Sequence, residues 1–303
     1  MDVTGKVAVV TGSGRGLGRA YARALARDGA SVVVNDVDRA AAEDAVSEIV
    51  AGGGRAACVV APVGPTETAE ELTRTAVDTF GRLDVMVTNA GILRDRVLWK
   101  MSDEDFDTVV EVHLRGTFTC ARAAAVQMRE QGDGGRLILV ASPSGQRGNF
   151  GQTNYAAAKS GVSAMARTWA LELERAGITV NALVPSAATD MSKTIPAYAE
   201  AVEAMEQNGT PLPEWMRKDD GVGTVDDVAE LVVFLASDAS AGITGQAIGL
   251  GGDKLALWSH PQEKAVDFRD GGWSADEIAS TWSSGVGVEP ESYGLPALTR
   301  PGV

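Results

Sequence analysis

Short apolar segments rich in β-branched residues alternate along the chain with longer, alanine-rich segments of helical period. Apolar residues recurring every three or four positions are typical of helices, and short continuous apolar runs are typical of strands buried on both faces. The predicted strands are residues 6–11, 31–35, 56–60, 83–88, 136–141, 178–183 and 246–250. The predicted helices are residues 16–28, 39–51, 66–80, 103–129, 152–176 and 226–237.

The repeated order of strand, helix and strand predicts the fold class. Parallel strands need crossover connections, which are usually helices, and the resulting sheet is covered on both faces. We therefore expect an α/β fold, a Rossmann-like, doubly wound sheet of seven mostly parallel strands with helices on both faces. With 303 residues, the chain is long enough for one such domain.

Two regions depart from this alternation. Residues 186–224 are rich in proline and lack a clean period, which indicates a segment that covers the substrate. Residues 253–303 contain three of the six tryptophans and only one short helical segment, residues 275–282. We interpret residues 1–252 as the folded domain and residues 253–303 as a C-terminal extension, whose aromatic rings would cover the substrate cleft of the same or a neighbouring subunit.

Composition excludes several classes of function. The formal net charge is −14, so the surface repels nucleic acid. Cys58 and Cys120 lie in apolar segments without metal-ligand spacing, which indicates free thiols in a reducing compartment, and two histidines leave little scope for a metal site. The sequence has neither an apolar run long enough to span a bilayer nor a signal-like N-terminus. We expect a cytoplasmic protein with no metal, membrane or nucleic-acid partner.

A glycine-rich segment follows the first predicted strand and opens the first predicted helix. It reads Thr11, Gly12, Ser13, Gly14, Arg15, Gly16, Leu17, Gly18. Glycines allow a tight turn and a close approach of the backbone, while the free amides of a helix N-terminus accept a pyrophosphate. This context, more than the glycines alone, predicts a dinucleotide site.

Asp36 at the end of the second predicted strand bears on the choice of dinucleotide. A carboxylate at this position can accept both ribose hydroxyls of NAD and would repel the 2′-phosphate of NADP. Arg15 favours the opposite choice, because a guanidinium can bind that phosphate, although a solvated arginine is its more ordinary role. We therefore expect NAD, with NADP as the alternative.

Tyr155 and Lys159 are four residues apart on a predicted helix and so share one face. Ser142 follows the strand predicted at 136–141, at the sheet edge where doubly wound folds bind ligands. A Tyr–Lys pair alone would be an ordinary surface feature. Together the three residues predict a proton-transfer site, in which the Lys159 ammonium favours the ionised form of a phenol whose usual pKa is near 10.

These motifs, together with the Asn89-Ala90-Gly91 triplet, resemble the short-chain dehydrogenase/reductase family over residues 5–252. The resemblance implies that a nicotinamide cofactor exchanges hydride with the substrate. It also implies that Tyr155 is the general acid/base and that Ser142 orients the substrate oxygen. Lys159 would bind the nicotinamide ribose and lower the pKa of the tyrosine.

The resemblance also implies further cofactor contacts. Asn89 would brace the sheet, and Thr189 would meet the carboxamide. Pro62 replaces an aspartate that contacts adenine in many members, so Val63 would offer only a backbone contact, and Ser186 replaces a glycine. The expected cofactor-binding residues are Gly12, Ser13, Arg15, Gly16, Leu17, Gly18, Asp36, Val63, Asn89, Ala90, Gly91, Tyr155, Lys159, Pro185 and Thr189.

His113 stands where the family usually has a catalytic asparagine. It is therefore a fourth candidate for the catalytic set, in a rebuilt proton relay behind Lys159. An ordinary core histidine with satisfied hydrogen bonds is the equal alternative.

Residues 89–96, 112–117 and 144–155 resemble more narrowly the (3R)-hydroxyacyl-CoA dehydrogenase unit of peroxisomal multifunctional enzymes and their bacterial relatives. We therefore expect an enzyme that interconverts a secondary alcohol and a ketone, most simply a 3-hydroxyacyl-CoA-type dehydrogenase. Hydroxysteroid or terpenoid alcohols are alternative substrates. A second alternative, an NADPH-dependent 3-oxoacyl-carrier-protein reductase, is disfavoured by Asp36, and a non-catalytic nucleotide-binding scaffold is disfavoured by the intact catalytic set.

The predicted helices 103–129 and 152–176 have apolar positions beyond one stripe. The family pairs through these helices, so we expect a homodimer or homotetramer that binds a small alcohol or ketone substrate.

Overall fold

A largely parallel sheet forms the centre of the protein, for which this computed structural model describes residues 1–189 and 192–296. The strands are β1 (Val7–Val10), β2 (Ser31–Asp36), β3 (Arg55–Val60), β4 (Val85–Thr88), β5 (Gly135–Val140), β6 (Ile178–Pro185), β7 (Ala247–Gly251) and β8 (Lys254–Trp258). Within these residues they form one eight-stranded sheet in the order β3-β2-β1-β4-β5-β6-β7-β8. All neighbours are parallel except β7 and β8.

Helices cover both faces of the sheet. They are α1 (Gly16–Arg27), α2 (Arg39–Ala51), α3 (Thr66–Phe80), α4 (Asp103–Val110), α5 (Gly116–Gln131), α6 (Pro143–Arg147), α7 (Thr153–Leu173), α8 (Pro196–Asn208), α9 (Glu214–Lys218), α10 (Val225–Ala236) and α11 (Ala275–Thr281). Alternate strand residues point to opposite faces. Val7 and Val9 therefore pack with α3, α5 and α7, whereas Ala8 and Val10 pack with α1, α2 and α10. This arrangement confirms the predicted doubly wound α/β fold.

The predicted count of seven strands is wrong by one, because β8 continues the sheet beyond β7. Leu250 pairs with Leu255 and Gly251 with Lys254, so Gly252 and Asp253 form a two-residue hairpin turn in which Gly252 has a φ of +54°. A Gly-Asp pair between two short apolar runs is a recognised hairpin signal. The extra strand lies in the residues that the sequence assigned to the C-terminal extension.

The helix predicted over residues 103–129 is interrupted. A π-helical turn, Glu111–Arg115, separates α4 from α5 and contains His113. Such turns insert an extra residue into a helix and are frequent at functional sites. Neither glycine nor proline occurs within Glu111–Arg115, so no local helix-breaking signal marks the insertion.

Residues 186–224 are more regular than their sequence indicated. They contain α8 and α9, whose side chains form a small core that includes Tyr198, Val202 and Met216. The two helices form without a clean hydrophobic period because their side chains pack against one another. Residues 190–191 of this segment and 297–303 of the expected extension lie outside the described residues. Across the described chain, no helix combines the length and apolar character needed to cross a membrane.

The buried carboxylate of Asp84 ties the start of β1 to the start of β4. It accepts a hydrogen bond of 2.8 Å from the Val7 N–H and one of 2.9 Å from Arg82 Nε. We expect Asp84→Ala to lower the free energy of unfolding by about 2–4 kcal/mol, because hydrogen bonds to a buried charge are lost. Urea denaturation measures this change. Asp133→Ala removes the exposed second partner of Arg82 and should change stability by less than about 0.5 kcal/mol; equal effects of the two changes would contradict the prediction.

Candidate active site

A cavity of about 1230 Å³ opens at the carboxyl edge of the parallel strands. Its walls include Asp36, Val140 and Pro185, which stand at the ends of β2, β5 and β6. The strand order reverses between β1 and β4, and doubly wound sheets bind ligands outside such a switch point. The site therefore lies where the fold class predicts it.

The glycine-rich loop between β1 and α1 forms one wall of this cavity. A side-chain carbon on Gly18 would lie 2.1 Å from the Gly12 carbonyl oxygen, and one on Gly12 would lie 2.7 Å from the Ala90 Cα. Gly16 has a φ of +54°, and no side chain caps the first turn of α1. The loop thus brings free helix amides to the cavity, as a pyrophosphate site requires.

Asn89 holds this loop against the end of β4. Its side-chain amide donates 3.0 Å hydrogen bonds to the carbonyl oxygens of Thr11 and Gly12. The Thr11 hydroxyl in turn accepts hydrogen bonds from the backbone N–H groups of Asn89 and Ala90. These contacts agree with the bracing role that the resemblance implied for Asn89.

Asp36 faces the cavity while its carboxylate is fixed by the backbone. Gly14 N–H donates to Oδ2 at 3.0 Å and Asp38 N–H donates to Oδ1 at 3.1 Å. An ionised carboxylate has about four acceptor positions, so capacity for ribose hydroxyls remains. Arg15 is two-thirds exposed, and its guanidinium lies 3.7 Å from the Asp38 carboxylate.

Of the expected cofactor residues, all but Ser13 line the cavity. Ser13 is buried behind the loop, where its hydroxyl donates to the Val10 carbonyl oxygen at 2.7 Å and accepts from the Asn35 N–H at 3.1 Å. It therefore supports the loop from behind. The others are Gly12, Arg15, Gly16, Leu17, Gly18, Asp36, Val63, Asn89, Ala90, Gly91, Tyr155, Lys159, Pro185 and Thr189.

Ser142, Tyr155 and Lys159 come together at the end of β5. Ser142 caps the short helix α6 by accepting a hydrogen bond from the Ser144 N–H at 3.2 Å. Lys159 is buried one helical turn beyond Tyr155, and its Nζ donates to the Val140 carbonyl oxygen at 2.5 Å. The same Nζ lies 5.7 Å from the centre of the Tyr155 ring. All three residues face the cavity, as their spacing predicted.

Burial is the largest influence on the pKa values of Tyr155 and Lys159. It raises the pKa of Tyr155, and the nearby Ser142 hydroxyl opposes the shift without cancelling it. It also lowers the pKa of Lys159 to about 7. In the protein alone the tyrosine pKa therefore moves up, opposite to the lowering that the resemblance implied for Lys159. The physical reason is that desolvation disfavours the charged form of both groups.

His113 packs directly against this group. Its ring meets the Tyr155 ring edge-on at a centroid distance of 5.1 Å, and its Nε2 lies 2.8 Å from the Ile92 carbonyl oxygen. Nδ1 has no hydrogen-bond partner among the described residues, so the imidazole is only partly satisfied. Burial, with a smaller effect of Lys159, lowers the pKa of His113 to about 3. The side chain is therefore neutral at physiological pH and does not titrate there.

Some residues of the cavity were missed by sequence reasoning. Gln152 donates to Asp95 at 2.9 Å and accepts from the Ser144 hydroxyl at 2.9 Å, which links the loop after β4 to α6. Leu295 lines the cavity from beyond residue 252, as does Trp258, one of the tryptophans that the sequence analysis expected to cover the cleft. No local pattern marks such positions, because they meet the site only through the tertiary fold.

Comparison with known proteins agrees with this geometry. The family model described as Enoyl-(Acyl carrier protein) reductase matches residues 12–252. Hydroxyacyl-CoA dehydrogenase ChsB1 of Mycobacterium tuberculosis is 41% identical over 293 residues, 92% of this chain and 88% of that protein. A 3-oxoacyl-[acyl-carrier-protein] reductase of Synechocystis is 42% identical over 253 residues, 82% of this chain and 97% of that protein.

Among solved structures, a short chain dehydrogenase from Mycobacterium avium superposes with a TM-score of 0.82 and 33% identity, covering 97% of this chain and 99% of that one. The resemblance to the family and to hydroxyacyl-CoA dehydrogenases is thereby confirmed. The chain is an oxidoreductase that acts on CH–OH groups and uses a nicotinamide dinucleotide. It belongs to the short-chain dehydrogenase/reductase family.

Proposed function

We propose that this enzyme oxidises the hydroxyl of 3-hydroxyacyl-CoA thioesters with NAD, using Ser142, Tyr155 and Lys159 as its catalytic residues. The observation that carries the proposal is the convergence of these three side chains on one cavity with the glycine-rich loop and Asp36. Similarity to a hydroxyacyl-CoA dehydrogenase over 92% of the chain supports the substrate class.

The residues present fit a dinucleotide. Gly12 and Gly18 leave no space for side chains where the backbone must approach a pyrophosphate, and α1 offers free amides there. Asp36 and Lys159 would hold the two riboses. When bound, the nicotinamide supplies the acceptor or donor of a hydride.

Side chains of the protein transfer the proton of the substrate hydroxyl. As a phenolate, Tyr155 Oη accepts the proton of the substrate hydroxyl during oxidation; as a neutral phenol, it donates a proton to the carbonyl oxygen during reduction. Ser142 Oγ hydrogen-bonds the same substrate oxygen and orients it. Because burial raises the pKa of Tyr155, the neutral phenol predominates at neutral pH and is ready to act as a proton donor. An ammonium at Lys159 stabilises the phenolate that oxidation requires.

His113 affects this proton transfer by positioning Tyr155. It is neutral, it contacts the Tyr155 ring, and its Nε2 meets the backbone of Ile92. We therefore place it as a positioning residue that holds the tyrosine against the loop after β4, with no proton of its own to transfer at neutral pH.

A specific observation also supports a second candidate substrate. The similarity to a 3-oxoacyl-carrier-protein reductase covers 97% of that relative. Such an enzyme would reduce the same position of an acyl thioester. Hydroxysteroid and terpenoid alcohols also remain candidates, since the cavity of about 1230 Å³ can hold them. Comparing turnover of the three substrate classes with NAD and NADP tests the choice among them.

We place the protein in the cytoplasm, which the free thiols Cys58 and Cys120 support. Fractionation of cells that express it, with recovery outside the cytoplasmic fraction, would contradict this placement.

We expect Tyr155→Phe to reduce kcat for hydroxyacyl-CoA oxidation by about 10²- to 10⁴-fold, because it keeps the ring and removes only the transferable proton. Formation of reduced nicotinamide measures kcat, and cofactor fluorescence measures binding, which should persist. Tyr293→Phe deletes the same atom from an exposed ring and should leave both unchanged. If the Tyr155→Phe variant kept the kcat of the unmodified enzyme, the proposed role of Tyr155 in proton transfer would be wrong.

We expect Asp36→Asn to lower kcat/KM for NAD and raise it for NADP, so that their ratio shifts by about tenfold or more. The amide keeps the shape but loses the charge that repels a 2′-phosphate. Asp44→Asn removes a carboxylate from the exposed face of α2 and serves as the control. Equal kcat/KM for the two cofactors in the unmodified enzyme would show that Asp36 does not select NAD.

We further propose that the enzyme is a homo-oligomer assembled through α5 and α7. Phe118 on α5 lies 6.5 Å from Trp169 on α7, and Val126 and Leu171 are more than half exposed on the same helices. Exposed apolar side chains on adjacent helices favour association. Light scattering at micromolar concentration should give two or four times the chain mass; a monomeric mass would refute the assembly.

A further inference from the structure

The chain returns to the active site after leaving the sheet. Beyond β8 it forms the exposed helix α11 and then runs back, and Lys264 Nζ donates to the Glu289 carbonyl oxygen at 2.8 Å, joining the outgoing and returning segments. The returning segment, residues 292–296, is here called the strap. Its last two described residues, Leu295 and Pro296, line the cavity that holds Ser142 and Tyr155.

Among the described residues, the strap's hydrogen bonds to the rest of the protein all go to Arg147. Gly294 N–H donates to the Arg147 carbonyl oxygen at 2.8 Å, and Arg147 Nε donates to the Gly294 carbonyl oxygen at 2.8 Å. A third bond of 2.7 Å runs from Arg147 Nη2 to the Ser292 hydroxyl. Gly294 has a φ of +81°, a conformation that favours glycine and lets its N–H and C=O both reach the arginine.

The Arg147 guanidinium has no carboxylate partner among the described residues. No carboxylate among residues 1–189 and 192–296 forms an ion pair with it, although the chain carries a net charge of −14. Its donors go instead to neutral oxygen atoms of the strap. Arg147 is also the last residue of α6, the helix that Ser142 caps, so the strap is fixed to the element that positions a catalytic residue.

The strap adds apolar side chains to the lining of the cavity. The same cavity is lined by the apolar residues Leu93, Ile195 and Trp258 and by the polar glycine-rich loop and Asp36. Leu295 is 38% exposed, so its side chain is not buried in the protein's own core. An apolar side chain in this position is available to contact the part of a substrate that extends from the reacting carbon.

We propose that the strap is the specificity wall of this enzyme: Leu295 limits the size of the apolar group that the substrate carries, and Arg147 holds Leu295 in place. The inference rests on the proposed function, because it assumes that the acyl part of the substrate lies against the apolar residues of the cavity. Of the three tryptophans expected to cover the cleft, Trp258 lines the cavity, whereas Trp273 and Trp282 remain 38% and 54% exposed on the extension.

The test compares kcat/KM for short-, medium- and long-chain 3-hydroxyacyl-CoA thioesters with NAD. We expect Leu295→Trp to lower kcat/KM for the long-chain substrate by about tenfold or more relative to the short-chain one, and Leu295→Ala to shift the ratio the other way. Arg147→Gln should weaken the dependence on chain length and make the strap more sensitive to limited proteolysis. Phe268→Ala removes an 89% exposed ring from the extension outside the strap, so it is the control and should leave the ratio unchanged.

The outcomes separate this inference from the proposed function. If the unmodified enzyme oxidises the thioesters but neither Leu295 variant changes the ratio, the strap is not the specificity wall. If the unmodified enzyme oxidises none of them, the proposed substrate is wrong. The same variants are then compared on secondary alkanols of increasing length, where an unchanged ratio overturns the strap inference and a shifted ratio supports it.

Discussion

The backbone of Gly12 passes so close to Gly18 that a side-chain carbon on Gly18 would lie 2.1 Å from the Gly12 carbonyl oxygen. This contact lets the loop after β1 lie flat against the end of β4, where Asn89 binds the carbonyl oxygens of Thr11 and Gly12. The position of α1, the open amides at its start and the route of the chain past Asp36 all depend on it. A side chain at Gly18 would clash with the Gly12 carbonyl oxygen and the Asn89 amide, and one at Gly12 would clash with the Ala90 backbone.

Tyr155, Lys159 and His113 line the cavity as buried groups that prefer to be neutral. Lys159 is held by the Val140 carbonyl oxygen, and burial lowers its pKa to about 7 while raising that of Tyr155. His113 adds a neutral ring at the edge of the tyrosine. Because little water reaches these groups, a charge that enters the cavity with the cofactor or substrate acts on them strongly. The protein thus keeps a proton on Tyr155 until a ligand changes the local charge.

Much of the fold follows from local pattern. The parallel strands and the helices between them are predicted by continuous apolar runs and by helical period, and the structure confirms the doubly wound class. The errors arise where tertiary contacts override the local signal. β8 is a half-exposed edge strand, and only its hydrogen bonds to β7 hold it in the sheet. The π-helical turn at His113 adds one residue to a helix, and neither glycine nor proline within Glu111–Arg115 marks it.

The sequence by itself determined the α/β class, the membership of a nicotinamide-dependent family, and the spacing that puts Tyr155 and Lys159 on one helical face. These are properties of short segments, in which period, glycine placement and residue type carry the information. Only the tertiary structure decided that Ser13 stands behind the loop, that burial raises the pKa of Tyr155, and that Leu295 returns to the cavity. Each depends on desolvation or on contacts between segments far apart in the chain, which no local pattern encodes.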